Sequence, residues 1–336
     1  MPYDEPAPQH RGADPAVGRA RAVLHRPFDS AAAIAYLVAH AVPGVERVTS
    51  PDAAHARVER LARTGSATVR LVVDLAPDEV GITATGPAPV PASWLEEVAA
   101  RWFGTGDDLD VVAAALDPDP LLRPLLRARP SLRVPGHVDP FEAAAQTVLG
   151  QQVSLAAART FTGRLAAALG TVHDEDLVLF PDPPAVAAVD AEELREALRV
   201  TGARARTLVA LARACADGLD LRTTHDRAGT RARLLALPGI GPWTADYLAL
   251  RAAGDRDAFP AGDLVLRKAM GIEDARQAAA RAATWSPWRA HAAQHLWTAV
   301  AYARLTPAAA TSPARPGPAS RRSSHRQSQR DDRPSA

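Results

Sequence analysis

Apolar and polar residues alternate along Thr68-Val69-Arg70-Leu71-Val72-Val73-Asp74-Leu75, and again along Glu79-Val80-Gly81-Ile82-Thr83-Ala84. A period of two marks a half-buried strand, so these runs predict a strand pair turned at Pro77-Asp78. Helical spacing marks Asp29 to His40 and Pro91 to Phe103. Residues 18–117 therefore predict an α+β domain with an antiparallel sheet. From about residue 118 to 305 the period is helical throughout. Asp139-Pro140-Phe141-Glu142 is a helix start, with Asp as N-cap, Pro at the first helical position and Glu at the third. Further helices are predicted from Ser154 to Leu169, Ala191 to Arg199, Ala203 to Gly218, Pro242 to Ala253, Leu264 to Met270 and Pro287 to Leu305. No repeat recurs at a fixed period, which argues against a solenoid.

Both ends read differently. Residues 1–17 are rich in Pro, Asp and Arg without periodicity, which predicts a flexible lead. Residues 306–336 are rich in Pro, Ser and Arg and lack large apolar residues, so they are expected to stay disordered. Arg321, Arg322, Arg326 and Arg330 in that tail offer non-specific attraction to DNA.

Composition adds limits rather than a function. A chain of 336 residues with 47% hydrophobic content can build two domains around real cores. No apolar run has membrane-spanning length and no apolar leader opens the chain, so a cytoplasmic protein without a membrane partner is expected. Net charge is only +1, so bulk electrostatics do not announce a nucleic-acid partner. The single cysteine, Cys215, excludes an intrachain disulfide and an iron–sulfur cluster. It also predicts that no methyl-acceptor domain is fused to this chain, and its place in an Ala/Leu-rich helix predicts packing rather than catalysis.

The sharpest local signal is Leu237-Pro238-Gly239-Ile240-Gly241-Pro242-Trp243-Thr244-Ala245. Glycines at alternate positions let two helices turn tightly and approach another backbone. The free amides of the second helix then face out of the turn and form an anion site suited to a DNA phosphate. This is the pattern of a helix-hairpin-helix, with Ile240 as its apolar plug. A short loop later comes Phe259-Pro260-Ala261-Gly262-Asp263-Leu264-Val265-Leu266-Arg267. Asp263 is expected to cap the helix that follows, and a capping carboxylate can also stand at the mouth of a cleft.

The hairpin followed by a Pro-x-x-Asp segment resembles the helix-hairpin-helix–Gly/Pro–Asp superfamily of DNA glycosylases. Within it the chain is most similar to the DNA-3-methyladenine glycosylase II family. The resemblance covers roughly residues 20–305. It also rests on Pro27-Phe28-Asp29 with Ala41-Val42-Pro43-Gly44-Val45-Glu46, on Leu132 to Glu142, on Leu149-Gly150-Gln151-Gln152-Val153-Ser154, and on Trp285-Ser286-Pro287-Trp288-Arg289 with His295-Leu296-Trp297. It implies an α+β N-terminal domain, TATA-binding-protein-like in one half, before an all-α helix-hairpin-helix glycosylase domain. Asp263 falls on the catalytic aspartate. Trp243, Tyr247 and Trp297, with Tyr36 from the N-terminal domain, fall on aromatics of the damaged-base pocket. Gln151, Gln152, Gly239, Ile240, Gly241 and Thr244 fall on the DNA-binding surface. Backbone carbonyls of Leu235, Leu237 and Ile240 match a structural monovalent cation site; no other cofactor is implied. The implied partner is double-stranded damaged DNA, met by a monomer near the nucleoid.

Two departures stand out. Gln152 replaces an apolar wedge residue, and Gly262 replaces an acid beside the aspartate. Bifunctional members carry a lysine nucleophile at the position of Thr244, so hydrolysis of alkylated bases without strand cleavage is expected. Aromatic faces are expected to favour cationic bases through cation–π attraction. His291 and His295 stand at i, i+4, a spacing that can bind zinc, but no third ligand accompanies them and helix packing is expected. Two alternatives stay open at this point: a glycosylase for uracil or hypoxanthine, or a non-catalytic binder of damaged DNA.

Overall fold

The computed structural model describes residues 16–21, 28–65, 67–77, 79–174, 177–222 and 225–301. Most of the expected lead, the tail from residue 302, Pro27 and Asp78 lie outside these. The strand β1 (Ala16–Arg21) begins inside the segment expected to be a flexible lead, because Ala16 and Val17 pair with Gly86 and Thr85.

The N-terminal domain is an antiparallel five-stranded sheet in the order β1-β5-β4-β3-β2. Its other strands are β2 (Glu46–Thr49), β3 (Ala56–Thr64), β4 (Ala67–Ala76) and β5 (Glu79–Gly86). Burial along β5 alternates at every residue, so Val80, Ile82 and Ala84 point into one core with Leu71, Val73 and Leu75 of β4. Helices α1 (Ser30–His40) and α2 (Ala92–Phe103) cover that face with Ile34, Leu37, Leu95, Val98 and Trp102. Asp29 caps α1 by accepting from the Ala32 amide.

Helices α3 (Leu109–Leu116) and α4 (Arg123–Ala128) lead into the second domain. There α5 (Pro140–Gly150), α6 (Leu155–Leu169), α7 (Pro183–Ala187), α8 (Ala191–Leu198) and α9 (Gly202–Ala216) form one helical layer. Asp139 caps α5 as predicted, and Ser154, the expected start of the next helix, caps α6. A short strand pair, β6 (Thr171–Asp174) and β7 (Leu177–Leu179), interrupts this otherwise helical domain. The remaining helices are α10 (Arg227–Leu235), α11 (Pro242–Arg251), α12 (Leu264–Met270), α13 (Ala275–Ala282) and α14 (Arg289–Val300). No helix among the described residues is long and apolar enough to cross a membrane.

The domains are joined by buried charge. Arg60 sits on the inward face of β3 and donates to Glu46 of β2 and to Glu142 of α5. Burial opposes its charge, but the two carboxylates outweigh burial and hold the guanidinium firmly protonated. His291 and His295 are buried in the α14 packing layer, and His291 lies 3.2 Å from Asp107. Both rings are thus packed inside the fold. Cys215 packs against the helical core, and burial pushes its thiol up to about 12, which keeps it an unreactive thiol.

Candidate active site

The hairpin joins α10 to α11. Gly239 adopts a φ of +80°, and a Cβ there would lie 2.1 Å from the Thr207 hydroxyl of α9. Glycine is therefore required twice, by backbone conformation and by the close approach. At Gly241 nothing lies within 4 Å of an added Cβ. That open space fronts the start of α11, where Gly241 offers no side-chain cap and Pro242 has no amide to satisfy. The first-turn amides and the helix dipole thus face an accessible surface. Ile240 is 5% exposed and sits in the helical core. It plugs the hairpin as expected, so its side chain is not offered to DNA.

Asp263 occupies the N-cap of α12. Its Oδ1 accepts from the amides of Val265 (2.9 Å) and Leu266 (3.0 Å) and from Trp297 Nε1 (3.1 Å). Its Oδ2 accepts from Trp243 Nε1 at 3.2 Å. Two backbone and two indole N–H groups thereby fix one carboxylate. The cap places it on the wall of a cavity of about 400 Å³ that is also lined by Tyr36, Trp243, Tyr247 and Trp297. The four aromatics named from the sequence therefore share one cavity with the aspartate. Trp243 stacks on Tyr247 at 5.3 Å, and Tyr247 meets Trp297 edge-on at 6.0 Å. Tyr36 brings α1 of the first domain to the same wall, stacked on His40 at 4.1 Å. Burial raises the Tyr36 phenol well above its ordinary value and lowers His40 to about 4, so both stay neutral.

Sequence reasoning missed several members of this wall. His137 and Gln146 line it and touch each other at 3.2 Å. Arg251 is the more consequential omission. Its guanidinium lies 5.1 Å from the Tyr36 ring, 5.6 Å from Tyr247 and 5.0 Å from Trp297. Three aromatics expected to greet a cationic base already carry a cation. The signal was present, since Trp243, Tyr247 and Arg251 follow at i, i+4, i+8 on α11 and share a face.

The DNA-binding residues divide. Thr244 is 3% exposed and its hydroxyl accepts from Gln151 Nε2 at 3.0 Å, which corrects the expectation of a side-chain contact with DNA. Gln151 is likewise engaged, donating also to the Gly239 carbonyl at 3.1 Å. Both residues thereby shape the hairpin, Thr244 from inside the fold and Gln151 from its half-exposed edge. Gln152, in contrast, is exposed and held at φ +54°. Arg204 donates to the carbonyl of Gln151 at 2.6 Å and steadies that turn. For the expected cation, the Leu237 carbonyl accepts from the Ile240 amide, yet a carbonyl has a second lone pair. Leu235 ends α10, where helix carbonyls lack intrahelical donors.

This geometry, a hairpin with open amides beside a capped aspartate, defines a class, and comparison with known proteins agrees. Residues 21–139 match the AlkA N-terminal domain, and residues 145–285 match the HhH-GPD superfamily base excision DNA repair protein family. The archaeal 3-methyladenine DNA-glycosylase from Archaeoglobus fulgidus has the same fold, with a TM-score of 0.70 at 20% identity over 83% of this chain and 97% of that one. DNA-3-methyladenine glycosylase 2 of Escherichia coli is 34% identical over 275 residues, which is 81% of this chain and 94% of the relative. The chain belongs to the DNA-3-methyladenine glycosylase 2 family. A second relative, the probable bifunctional transcriptional activator/DNA repair enzyme AlkA of Mycobacterium tuberculosis, is 40% identical over 287 residues, and the chain spans 56% of its length.

Proposed function

We propose that this chain is a monofunctional DNA glycosylase that hydrolyses the N-glycosidic bond of N-alkylated bases in duplex DNA. The observation that carries this reading is the Asp263 carboxylate, fixed between two indole N–H groups on the wall of an aromatic cavity. A base inside a duplex cannot reach such a wall, so the nucleotide must be extruded. The hairpin amides hold the backbone, Gln152 fills the gap in the stack, and the base enters the cavity. Asp263 then stabilises the oxocarbenium-like sugar and orients the attacking water. No lysine lines the cavity among the described residues, and Thr244 carries a hydroxyl where a Schiff base would need a primary amine. The enzyme acts as a monomer at the chromosome, in the cytoplasm, with no cofactor beyond a monovalent ion held by the carbonyls of Leu235, Leu237 and Ile240.

The test uses release of 7-methylguanine and 3-methyladenine from methylated DNA, with Asp263→Asn alongside. Asparagine caps helices as well as aspartate does, so α12 keeps its cap while the charge goes and Trp243 Nε1 loses its acceptor. The rate should fall by about 10²–10³, the size typical of losing one preorganised electrostatic group. Equal release by wild type and variant removes the catalytic role. DNA binding without release by either leaves a binding module.

A further inference from the structure

We propose that Gln146 reads the extruded base: its carbonyl oxygen accepts an N–H of a purine and so favours bases that carry an amino group. The inference rests on the glycosylase reading above and names the edge of the base that the cavity selects.

Much of the polar lining of the cavity is already engaged. The indole N–H groups of Trp243 and Trp297 go to Asp263. The Thr147 hydroxyl donates to the Ala143 carbonyl at 2.7 Å, and the Thr162 hydroxyl donates to the Ala158 carbonyl at 2.9 Å. Gln146, half-buried on α5, differs because only one end of its amide is engaged. Its Nε2 lies 3.3 Å from Glu142 Oε1 and 3.2 Å from His137 Nε2, so the amide protons face a carboxylate and an imidazole. The carbonyl oxygen, on the other arm of the amide, has no partner among the described residues and is not sealed from solvent. It is open to the cavity that Gln146 lines.

Glu142 sets that orientation. Its Oε2 receives the Arg60 guanidinium and its Oε1 faces Gln146. Glu142 is fully buried, so this oxygen needs a protein donor. Turning the amide round would bring two acceptor oxygens within 3.3 Å of each other and leave a buried carboxylate oxygen unsatisfied. The ion pair that joins the two domains therefore also fixes which end of Gln146 a base meets.

An acceptor without a proton selects by what the base presents. A purine amine donates to it, whereas a ring nitrogen or carbonyl sets a second acceptor against it. Both 3-methyladenine and 7-methylguanine carry an exocyclic amine. While attached to the sugar an N-alkylated base is cationic, and its N–H groups are then stronger donors. The aromatic faces accept any flat base; Gln146 adds direction. No bond forms or breaks at Gln146, so its part is specificity.

Quenching of the cavity tryptophans measures binding of two free bases, 3-methyladenine and 3-methylpurine, which differ only in the 6-amino group. Stacking is common to both. Wild type should bind 3-methyladenine about 2- to 10-fold more tightly, the size of one net hydrogen bond. Gln146→Met, of similar length, should lose that preference and bind 3-methylpurine as wild type does. A glutamine that only props the wall would weaken both bases alike in Q146M and leave their ratio unchanged, which overturns the proposal. So would a wild type that binds neither base, binds both equally or prefers 3-methylpurine. Should Q146M fail to fold, Gln146→Leu carries the same expectation. Release of 7-methylguanine from methylated DNA by the same wild-type protein tests the glycosylase reading separately. No release overturns that reading, whereas release with an unmoved binding ratio overturns only the assignment of Gln146.

Discussion

Replacing Gly239 by alanine tests whether the hairpin is held by contact with α9 or by local turn chemistry alone. Two costs add. A left-handed φ of +80° costs an L-residue roughly 1–2 kcal/mol. The new Cβ would also meet the Thr207 side chain at 2.1 Å from Oγ1, 3.2 Å from Cβ and 3.3 Å from Cγ2. Thr207 is buried and its hydroxyl donates to the Ala203 carbonyl at 3.0 Å, so it cannot simply swing away. Overpacking of this kind costs about 1–3 kcal/mol. The sum, about 2–5 kcal/mol, is a large share of a typical stability of about 5–15 kcal/mol. Urea unfolding at constant m-value measures it. Adding Thr207→Ala removes Oγ1 and Cγ2, so the double variant should recover about 1–3 kcal/mol relative to the sum of the single changes. Gly241→Ala is the control: with open space around its Cβ it should cost under about 1 kcal/mol, while weakening DNA binding by crowding the α11 amides. Additive costs at 239 and 207, or equal losses at 239 and 241, would refute the packing argument.

Two further expectations use the same structure. Gln152→Gly removes the penalty of a left-handed glutamine at φ +54°, so stability should hold or rise by up to about 1 kcal/mol. Excision from duplex DNA should nonetheless drop while excision from an unpaired, pre-extruded nucleotide holds; an equal drop on both would sink the wedge role. The second concerns pH. Burial lowers His40 to about 4 and His295 to about 3, whereas the unfolded histidine titrates near 6.5. Between those values the unfolded chain binds more protons, so stability rises with pH there and is fully present above about 6.5. It should be lost as pH falls from about 6.5 toward 4, by up to a few kcal/mol per histidine. A urea midpoint that stays flat from pH 7.5 to 4.5 would contradict this.

The parts of this architecture that announce themselves in the chain are those governed by neighbours in sequence. Caps at Asp29, Asp139, Ser154 and Asp263 satisfy amides two or three residues ahead, and β4 and β5 alternate because one face is core. Strand β3 hides because its inward position 60 is an arginine, tolerable only through Glu46 and Glu142, and Glu142 lies 82 residues away. The β6–β7 pair is too short for any period to register. At the site, the aspartate and the four aromatics were legible through family motifs. Arg251 was not, because an arginine on a helix is ordinarily an outward-facing residue. Its inward place depends on Pro135, Gln294 and Tyr36, which come from three other parts of the chain. Thr244 misled for a related reason: its spacing placed it on the hairpin helix, but Gln151 had already claimed its hydroxyl.

That last contact links the two halves of the DNA recognition proposed above. The Gln151 amide bridges the Gly239 carbonyl and Thr244, while its own carbonyl takes the Arg204 guanidinium. The next residue is Gln152, exposed in a conformation that costs an L-residue roughly 1–2 kcal/mol. Such a residue keeps its shape only where its surroundings over-determine it. Here the surroundings are the hairpin itself, proposed above to hold the DNA backbone. A wedge on a free loop would have to be ordered upon meeting DNA, at an entropic cost of about 1–2 kcal/mol per residue. On the proposed reading of Gln152, a wedge built onto the hairpin is already set when the backbone is gripped, so gripping the strand and filling its stack become mechanically one step.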